Sequence, residues 1–491
     1  MNRQIKKTDK VTIRMYCMGT GDCFIVKFFS GKKEKFTVMI DCGSCSGTAK
    51  DFRPYIIDLK KFVGSKGIDL LIVSHEHQDH VNGFKKCEDL FDEIPIREAW
   101  FAWTEDPKDP TGKAKELLEK RKKLRIAFRN AMEAYSFRVE EIEKCFLEDA
   151  KCGYIKKANN SFLNGLRTLA DINLNIDDES LNKESLSGMI AILSKLKRDK
   201  AKIVYRNPGE MVKFEGAPGL KFYILGPPMD KGSVYKDGKE GKDVFQKHIA
   251  LNYSMSSCDA YTNLNNATKE KDLPFDPQYV LASVDDPISK PGNNTHELIQ
   301  LYFENDLNWR KIDYDWLTGV GSLAIRLDTH LNNTSLAVAI ESEDSGNVIL
   351  FPGDAEYGNW ESWHLINDWK EEGRGRKPLV EDLLNRTVFY KVGHHSSYNG
   401  TALEKGINLM PQNGMAAMIS LDRSRISSQW KSTMPNRYLL EELTKRCGGK
   451  VFMMSETEIK NPPSGQLNYK LDLDGSEYEE NKLYKQYTFS I

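Results

Sequence analysis

The chain has 491 residues, of which 40% are hydrophobic and 29% are charged, an ordinary globular composition. Its 70 lysines and arginines nearly cancel its 71 aspartates and glutamates, which excludes a whole-chain field that attracts nucleic acid or anionic membrane. No apolar run approaches the roughly 20 residues that span a bilayer, and no signal-type segment is recognised. Nine cysteines, an odd number, favour free thiols in a reducing compartment. We therefore expect a soluble, cytoplasmic protein without membrane contact.

The first third of the chain is predicted to form short strands separated by turns. Strands are expected at residues 11–16, 23–28, 36–40 and 69–73, with a helix near 55–63. The strand at 69–73 is almost continuously apolar, which is typical of a strand buried on both faces.

Two segments of different texture interrupt the strand pattern. Residues 104–200 are predicted to be a helical insertion, with helices near 113–146 and 187–197, and residues 229–315 a loop-rich insertion. Strands return at 220–225, 322–327, 335–340, 348–351, 387–392, 416–421 and 450–454, with a helix at 436–446. Residues 1–103 would form one half of an α/β domain, and residues 201–228 and 316–491 the other half.

A histidine cluster directly follows the buried strand. It contains His75, His77, Asp79 and His80 within six residues. Imidazole and carboxylate ligands suit zinc, and also manganese or iron. One loop could therefore present two pairs of ligands to two neighbouring divalent ions, which would share an activated water.

Two later strand ends carry further candidate ligands. Gly353-Asp354 could supply a carboxylate that bridges both ions, and His394-His395 could complete the second site. Each motif means little by itself, but their order and their strand-end positions strengthen the interpretation.

The combined pattern resembles the metallo-β-lactamase superfamily, and more closely the hydrolase domain of ComEC-type DNA-uptake proteins and their soluble relatives. The matching motifs are Gly19-Thr20-Gly21-Asp22, Asp41-Cys42-Gly43, the loop 75–80, Asn332-Asn333-Thr334-Ser335-Leu336, Gly353-Asp354 and His394-His395-Ser396-Ser397. The resemblance covers residues 11–103 and 201–455 apart from the insertions, and implies a four-layer αββα sandwich.

The resemblance also implies roles for individual residues. His75 and His77 would bind the first ion; Asp79, His80 and either His394 or His395 would bind the second; Asp354 would bridge the two. Asp79 and Asp354 are the candidate catalytic carboxylates. Asp41 would orient a ligand histidine, and Asp22 would line the cleft.

The sequence departs from the family pattern in two places. Many members have a third histidine on the first ion; His330, His248 and His296 have no obvious equivalence to it, and ComEC-type relatives also lack it. Ser396 stands where a glycine is expected, and its Cβ could restrict the approach of a phosphate while its hydroxyl could donate to one.

Several other residues have both a functional and an ordinary interpretation. Ser396, Ser397 and Asn333 are candidates for polar contacts with substrate, and Lys391 and Lys431 could compensate phosphate charge. The basic stretch from Lys113 to Arg129 is expected to be a solvated helix face, with a nucleic-acid contact as the alternative. For Trp100, Phe101 and Trp103, core packing is favoured over a base-stacking platform. For Cys42 and Cys45, packing is favoured over redox chemistry.

The leading hypothesis is a metal-dependent phosphodiesterase or nuclease in which a hydroxide bridged by two ions, zinc or alternatively manganese, attacks phosphorus. The substrate would be a nucleic acid or a nucleotide. One alternative is hydrolysis of a carboxylic ester, thioester, lactone or lactam. Another is a regulatory or recognition role that contacts a protein partner through the insertions.

Overall fold

The computed structural model describes residues 8–123, 125–126, 129, 187–245, 330–367, 369, 373–426, 431, 434–455 and 475–491. Contacts divide the chain into two compact units, one of residues Met1–Arg121, Arg167–Ala250 and Asp328–Ile491, the other of Lys122–Leu166 and Leu251–Leu327. All the numbered helices and strands below belong to the first unit. The predicted loop-rich insertion and most of the helical insertion lie outside the described residues, so the predicted domain boundaries stay predictions.

The described residues contain fifteen strands and eight α-helices. The strands are β1 Lys10–Tyr16, β2 Phe24–Ser30, β3 Lys33–Ile40, β4 Ile68–Ile72, β5 Ile96–Ala102, β6 Lys202–Arg206, β7 Met211–Val212, β8 Leu220–Ile224, β9 Val338–Ser342, β10 Val348–Phe351, β11 Thr387–Lys391, β12 Ala416–Ile419, β13 Val451–Met453, β14 Glu477–Glu480 and β15 Tyr484–Ser490. The helices are α1 Ala49–Val63, α2 Gln78–Lys86, α3 Glu88–Asp92, α4 Ser187–Arg198, α5 Lys231–Val234, α6 Tyr357–Trp363, α7 Leu379–Asn385 and α8 Arg437–Cys447. Residues 113–123 are also helical.

The strands form two mixed sheets. The first has the order β14-β15-β1-β2-β3-β4-β5-β6, antiparallel as far as β3 and parallel from β3 to β6. The second has the order β13-β12-β11-β10-β9-β8-β7, parallel from β13 to β10 and antiparallel beyond. Each sheet therefore has one parallel half, whose strand ends share an edge.

The two sheets face each other across an apolar core. In β1, alternate residues Val11, Ile13 and Met15 point into this core, as a period of two requires. Side chains of both sheets meet there, among them Phe24, Trp100, Phe222, Ile340, Phe351, Phe389 and Met418. Burial of these side chains on both sheets is the main term that holds the sheets together.

Helices cover the outer face of each sheet. Phe52 and Ile56 of α1 and Phe84 of α2 pack on the first sheet. Trp360 and Trp363 of α6 and Leu439 of α8 pack on the second sheet. The order helix, sheet, sheet, helix is the four-layer αββα sandwich that the sequence predicted.

Most predicted elements are found within two residues of the predicted bounds. Asn436 caps α8 by accepting a hydrogen bond from the Leu439 amide at 3.1 Å, and Gly448 ends the helix with a φ of 55°. The helix predicted near 55–63 begins earlier, at Ala49. The helix predicted over 113–146 is described only in its first part, and the strand predicted at 322–327 lies outside the described residues.

Two predictions of strands were wrong. The strand predicted at 335–340 starts later, as β9 from Val338, because Ser335 and its neighbours turn to make site contacts instead. The strand at 450–454 was taken as the last, but β14 and β15 follow it. β15 pairs with β1 along seven residues, so a strand of the first sheet comes from the far end of the sequence.

Within the described residues, no helix is both long enough and apolar enough to cross a bilayer.

Candidate metal centre

The candidate site lies at the shared edge of the two sheets, where the parallel strands end. Its residues follow β3 (Asp41), β4 (Ser74 to His80), β10 (Asp354), β11 (Gly393 to Ser396) and β12 (Ser420). The carboxyl ends of parallel strands meet at one edge, so residues distant in sequence come together there.

Two glycines allow the first turn and the histidine loop to approach closely. The Asp22 amide donates to the Asp79 carbonyl at 3.0 Å, and the Gly43 amide donates to the Asp22 carbonyl at 2.9 Å. A Cβ on Gly43 would lie 2.4 Å from the Asp79 carbonyl carbon, and one on Gly21 would lie 2.5 Å from the Asp79 oxygen. These contacts explain why both motifs carry glycine: only a residue without a side chain fits against Asp79.

Asp41 fixes the orientation of His80. One Asp41 oxygen lies 2.8 Å from His80 Nδ1, and the other accepts the Ser74 amide at 2.7 Å. With Nδ1 occupied, His80 directs Nε2 inward, 3.0 Å from Asp354 Oδ2. This contact fits the role that the resemblance implied for Asp41.

Three segments converge on a buried cluster of Asp79, His80, Asp354 and His395, hereafter the Asp–His cluster. His395 Nε2 lies 3.1 Å from Asp79 Oδ2 and 3.2 Å from Asp354 Oδ2. His395 Nδ1 lies 3.0 Å from the Ser420 carbonyl oxygen. Of the two adjacent histidines left open by the sequence, His395 is the one that the structure brings to the cluster.

His75 and His77 form a second arrangement, hereafter the His75–His77 pair. His75 Nε2 lies 2.8 Å from His77 Nδ1, and both residues are buried. His75 Nδ1 lies 3.0 Å from Ser74 Oγ and 3.3 Å from Ser335 Oγ. Two imidazole nitrogens therefore face each other at the spacing of adjacent ligands on one ion.

No histidine outside the loop 75–80 joins this pair among the residues that the structure describes. His330 packs edge-on against the Tyr235 ring at 4.0 Å, and His364 lies 2.8 Å from the Lys405 carbonyl. His248 and His296 lie outside the described residues.

Lys391 is buried at the centre of the site. Its ammonium group pairs with Asp22 and, at 3.0 Å, with Asp354 Oδ1, and it also donates to the Gly353 carbonyl. Asp22 further accepts from the Ser420 hydroxyl. Sequence analysis named Lys391 as a group that could compensate phosphate charge. In the structure its charge is already satisfied by Asp22 and Asp354. Lys431 is exposed and has no described contact with the site.

The charges of the site determine its protonation. Burial alone would lower the pKa values of His80 and His395, but the surrounding aspartates raise both, that of His395 to about 10. Burial, together with His80 and His77, lowers the pKa of His75 well below its usual value. In the metal-free protein, protons on His80 and His395 thus balance the carboxylates, while His75 is neutral and offers a lone pair. Ligand imidazoles must be deprotonated, so an ion would displace the two protons.

The residues present fit a divalent transition-metal ion. Asp79 Oδ1 is buried without a hydrogen-bond partner among the described residues, and His80 Nε2 has an ion-pair contact with Asp354 Oδ2 at 3.0 Å but no hydrogen bond of good geometry. Two ligands about 2.0–2.1 Å from one zinc ion lie about 2.9–3.4 Å apart at right-angled to tetrahedral geometry, close to the separations found here. One ligand atom each from Asp22, His80, Asp354 and His395 also lies within 4.8 Å of the others. Because Asp22 is already paired with Lys391, we favour Asp79 over Asp22 as the fourth ligand.

Two of the three residues predicted to contact substrate, Asn333 and Ser397, already make hydrogen bonds within the protein. Asn333 is fully buried; its oxygen accepts from the Glu356 and Asn359 amides and its nitrogen donates to the Val234 carbonyl. A side chain so engaged cannot contact substrate, which corrects that expectation. Ser397 donates to Asn399, whereas the buried Ser396 hydroxyl has no partner in the described part of the chain.

His394 lies away from the Asp–His cluster. Its Nδ1 is 3.3 Å from Glu356 Oε1, and its Nε2 is 3.3 Å from Asn332 Nδ2. Only its backbone amide reaches the cluster, 3.2 Å from Asp354 Oδ1. Sequence analysis missed Ser74, Ser420 and Glu356, although each is a polar residue directly after a strand or next to a motif.

The structure also shows where the aromatic residues near 100, the basic stretch and the cysteines lie. Trp100, Phe101 and Trp103 are at most 3% exposed and form core rather than a stacking platform. Arg121, in the basic stretch expected to be solvated, is buried and pairs with Glu76 and Glu105. The cysteines that the structure describes are free thiols, and Cys42 is buried.

Residues 19–133 match the family model described as the metallo-beta-lactamase superfamily, so this part of the chain is similar to that superfamily. Its members are mostly hydrolytic metalloenzymes, which supports a metal-dependent hydrolase in general. A search of curated proteins finds no match.

Proposed function

We propose that the protein is a metal-dependent phosphodiester hydrolase, a nuclease or a nucleotide phosphodiesterase, with zinc as the expected ion and manganese as the alternative. The observation that carries the proposal is the convergence of Asp79, Asp354 and His395 in one buried cluster from segments 316 residues apart. The motif set resembles the ComEC-type branch, and no further histidine of the described residues joins the His75–His77 pair, which agrees with that branch. These two features favour phosphorus over an acyl carbon.

The chain's own residues would hold the ions and limit their motion. The Asp–His cluster would hold one ion and the His75–His77 pair the other, with Asp354 between them. Bound divalent ions supply an activated water and stabilise negative charge on the reacting ester. Asp41 keeps His80 in one tautomer and orientation, and Lys391 holds the Asp354 oxygen that faces away from His80 and His395.

Burial makes these electrostatic interactions strong. The six candidate ligands His75, His77, Asp79, His80, Asp354 and His395 are each at most 3% exposed. In such a setting fixed charges act through little intervening water, so preorganised donors and carboxylates can stabilise developing charge without reorganising.

Metal analysis and a substrate panel test the proposal. Purified protein should contain about two equivalents of zinc or manganese and should hydrolyse one of single-stranded DNA, double-stranded DNA, RNA or cyclic dinucleotides. Asp79→Ala should lose both metal and activity. Asp89→Ala is the matched control, because the ion pair of Asp89 with Arg53 is exposed and its loss should leave metal and activity unchanged.

Two results would overturn the proposal. Turnover of acyl esters, thioesters or lactones with none of any phosphodiester would assign the site to carbonyl substrates. Absence of transition metal in wild-type protein, with His77→Ala indistinguishable from it, would indicate a recognition module.

A further inference from the structure

A buried ion cluster lies against the back of the histidine loop. Arg121 Nη1 donates to Glu76 Oε1 at 2.7 Å and to Glu105 Oε1 at 2.9 Å, and Nη2 donates to the Thr104 carbonyl at 3.3 Å. The side chains of Arg121, Glu76 and Glu105 are only 4%, 5% and 11% exposed. Surface ion pairs are weakly held, but three charges enclosed together must remain paired.

Glu76 connects this cluster to the metal centre. It stands between His75 and His77 in the segment that joins β4 to α2. His75 and His77 meet each other on one side, at 2.8 Å, while Glu76 meets Arg121 on the other. The loop is therefore held from both sides.

The helix that carries Arg121 is itself fixed to the domain. Ala114 and Leu117 pack with Trp103 in a small apolar cluster, and Lys113 donates to the Met229 carbonyl. Lys120 lies over the Tyr235 ring at 3.7 Å. Arg121 thus reaches the loop from a helix that packs against the domain, and such packing is what precise placement of a neighbouring group requires.

We propose that Arg121 is a positioning residue, which acts through Glu76 to hold His75 and His77 in the geometry that binds one metal ion. This inference rests on the proposed function, since it assigns an ion to the His75–His77 pair. Within the part of the chain that the structure describes, no third histidine joins this pair. Two ligands depend strongly on preorganisation, because few ligand bonds compensate for the ordering of the loop. The planar guanidinium suits the task, since one fork can donate to two carboxylates and a carbonyl together.

Metal stoichiometry is the first test. Wild-type protein, dialysed against buffered zinc and analysed by mass spectrometry, is expected to hold about two equivalents, and Arg121→Met about one. The affinity for the lost equivalent should fall by about 10–100-fold, the usual effect of removing a group that orients a ligand. Arg121→Lys keeps the charge without the fork and should give an intermediate occupancy.

Side-chain spectra provide a second readout that needs no metal. Long-range ¹H–¹⁵N spectra of metal-free protein should show altered His75 and His77 signals in Arg121→Met, with the remote His364 unchanged. If wild-type protein binds no transition metal, the proposed function fails. The spectra then still decide whether Arg121 orders the loop: unchanged His75 and His77 signals would overturn the positioning role as well.

Two further variants separate positioning from folding. If Arg121→Met does not fold, the neutral triple variant Arg121→Met, Glu76→Gln, Glu105→Gln replaces it, because it leaves no buried charge unpaired. Arg386→Met is the matched control: Arg386 also bridges two acids, Glu341 and Asp382, but at the far end of β11. Two retained equivalents in the triple variant, or one lost in the control, would overturn the proposal.

Discussion

Replacing Ser396 by glycine is expected to stabilise the protein. Ser396 is the last of three consecutive non-glycine residues in the left-handed region, after His394 and His395, with φ values of 67°, 46° and 49° respectively. Such backbone is costly for residues with a Cβ and occurs mainly where function requires it. Its hydroxyl is also buried without a hydrogen-bond partner among the described residues.

The magnitude follows from two gains and one loss. Relief of left-handed strain is worth about 1–2 kcal/mol. Removal of an unpaired buried hydroxyl is worth about 1–3 kcal/mol. Glycine loses about 0.5–1 kcal/mol through the greater freedom of the unfolded chain. The free energy of unfolding should therefore rise by about 1–4.5 kcal/mol.

The assay is urea unfolding of chelator-treated protein, followed by tryptophan fluorescence. Ser396→Gly should move the midpoint to higher urea without changing the slope. Ser397→Gly is the matched control: this neighbouring serine has an ordinary φ of −65° and donates to Asn399. Glycine there should destabilise, so two adjacent serines should shift the midpoint in opposite directions.

A midpoint for Ser396→Gly at or below the wild-type value would refute this reasoning. It would mean that the left-handed stretch is not strained in solution, or that the hydroxyl has a partner. Equal shifts of the urea midpoint in Ser396→Gly and Ser397→Gly would also refute it.

Three further predictions concern other charged groups. Asp41→Asn should weaken zinc binding by about 10–100-fold in a competitive chelator titration, because an amide orients His80 poorly. Lys391→Met should destabilise metal-free protein by about 3–5 kcal/mol in thermal melts, since it removes the one buried ammonium that pairs with both Asp22 and Asp354, and added zinc should recover part of that loss. Burial alone would raise the pKa of the Glu34 carboxyl, but the hydrogen bond and charge of Lys27 lower it below its usual 4.5. The ionised Glu34 therefore stabilises the folded protein fully at pH values above 4.5, and this stabilisation is lost as the pH falls through the lowered pKa. Glu34→Gln should accordingly flatten the acid side of the stability curve measured by urea unfolding, and an unchanged acid side would contradict the assignment.

The two-sheet fold was largely predictable because its strands are local and apolar. Runs such as 69–73 and 348–351 need only a period and a length to be recognised. The site loop was equally visible, since four ligand-type residues within six positions after a buried strand are uncommon outside metal sites. Both are properties of short windows of sequence.

What escaped prediction depends on distant partners. β15 mixes aromatic and polar residues without strict alternation, and its pairing with β1 is set by contacts across nearly the whole chain. In the sequence, Arg121 cannot be distinguished from the other basic residues of its stretch, because its partners Glu76 and Glu105 come close only in the folded protein. Asn333 belongs to a motif that resembles a functional one, yet its side-chain oxygen accepts hydrogen bonds from the backbone amides of Glu356 and Asn359, just before and within α6.

The choice between His394 and His395 shows the same limit at short range. The two are adjacent, and their sequence context is identical in type. A left-handed turn separates their directions, so that one imidazole enters the cluster and the other pairs with Glu356. The left-handed backbone at these two histidines depends on their partners elsewhere in the chain, which a short stretch of sequence does not show.

The pairing of β1 with β15 has a consequence for synthesis of the protein. Thr12 and Thr488, which share a hydrogen bond across these strands, are 476 residues apart. At about 5–20 residues per second, a ribosome takes about 25–95 s to make the chain between them. During that time β1 has β2 on one side and an open row of backbone donors and acceptors on the other, a template for unwanted association. A nascent chain of this protein thus needs its early strand protected until β15 emerges.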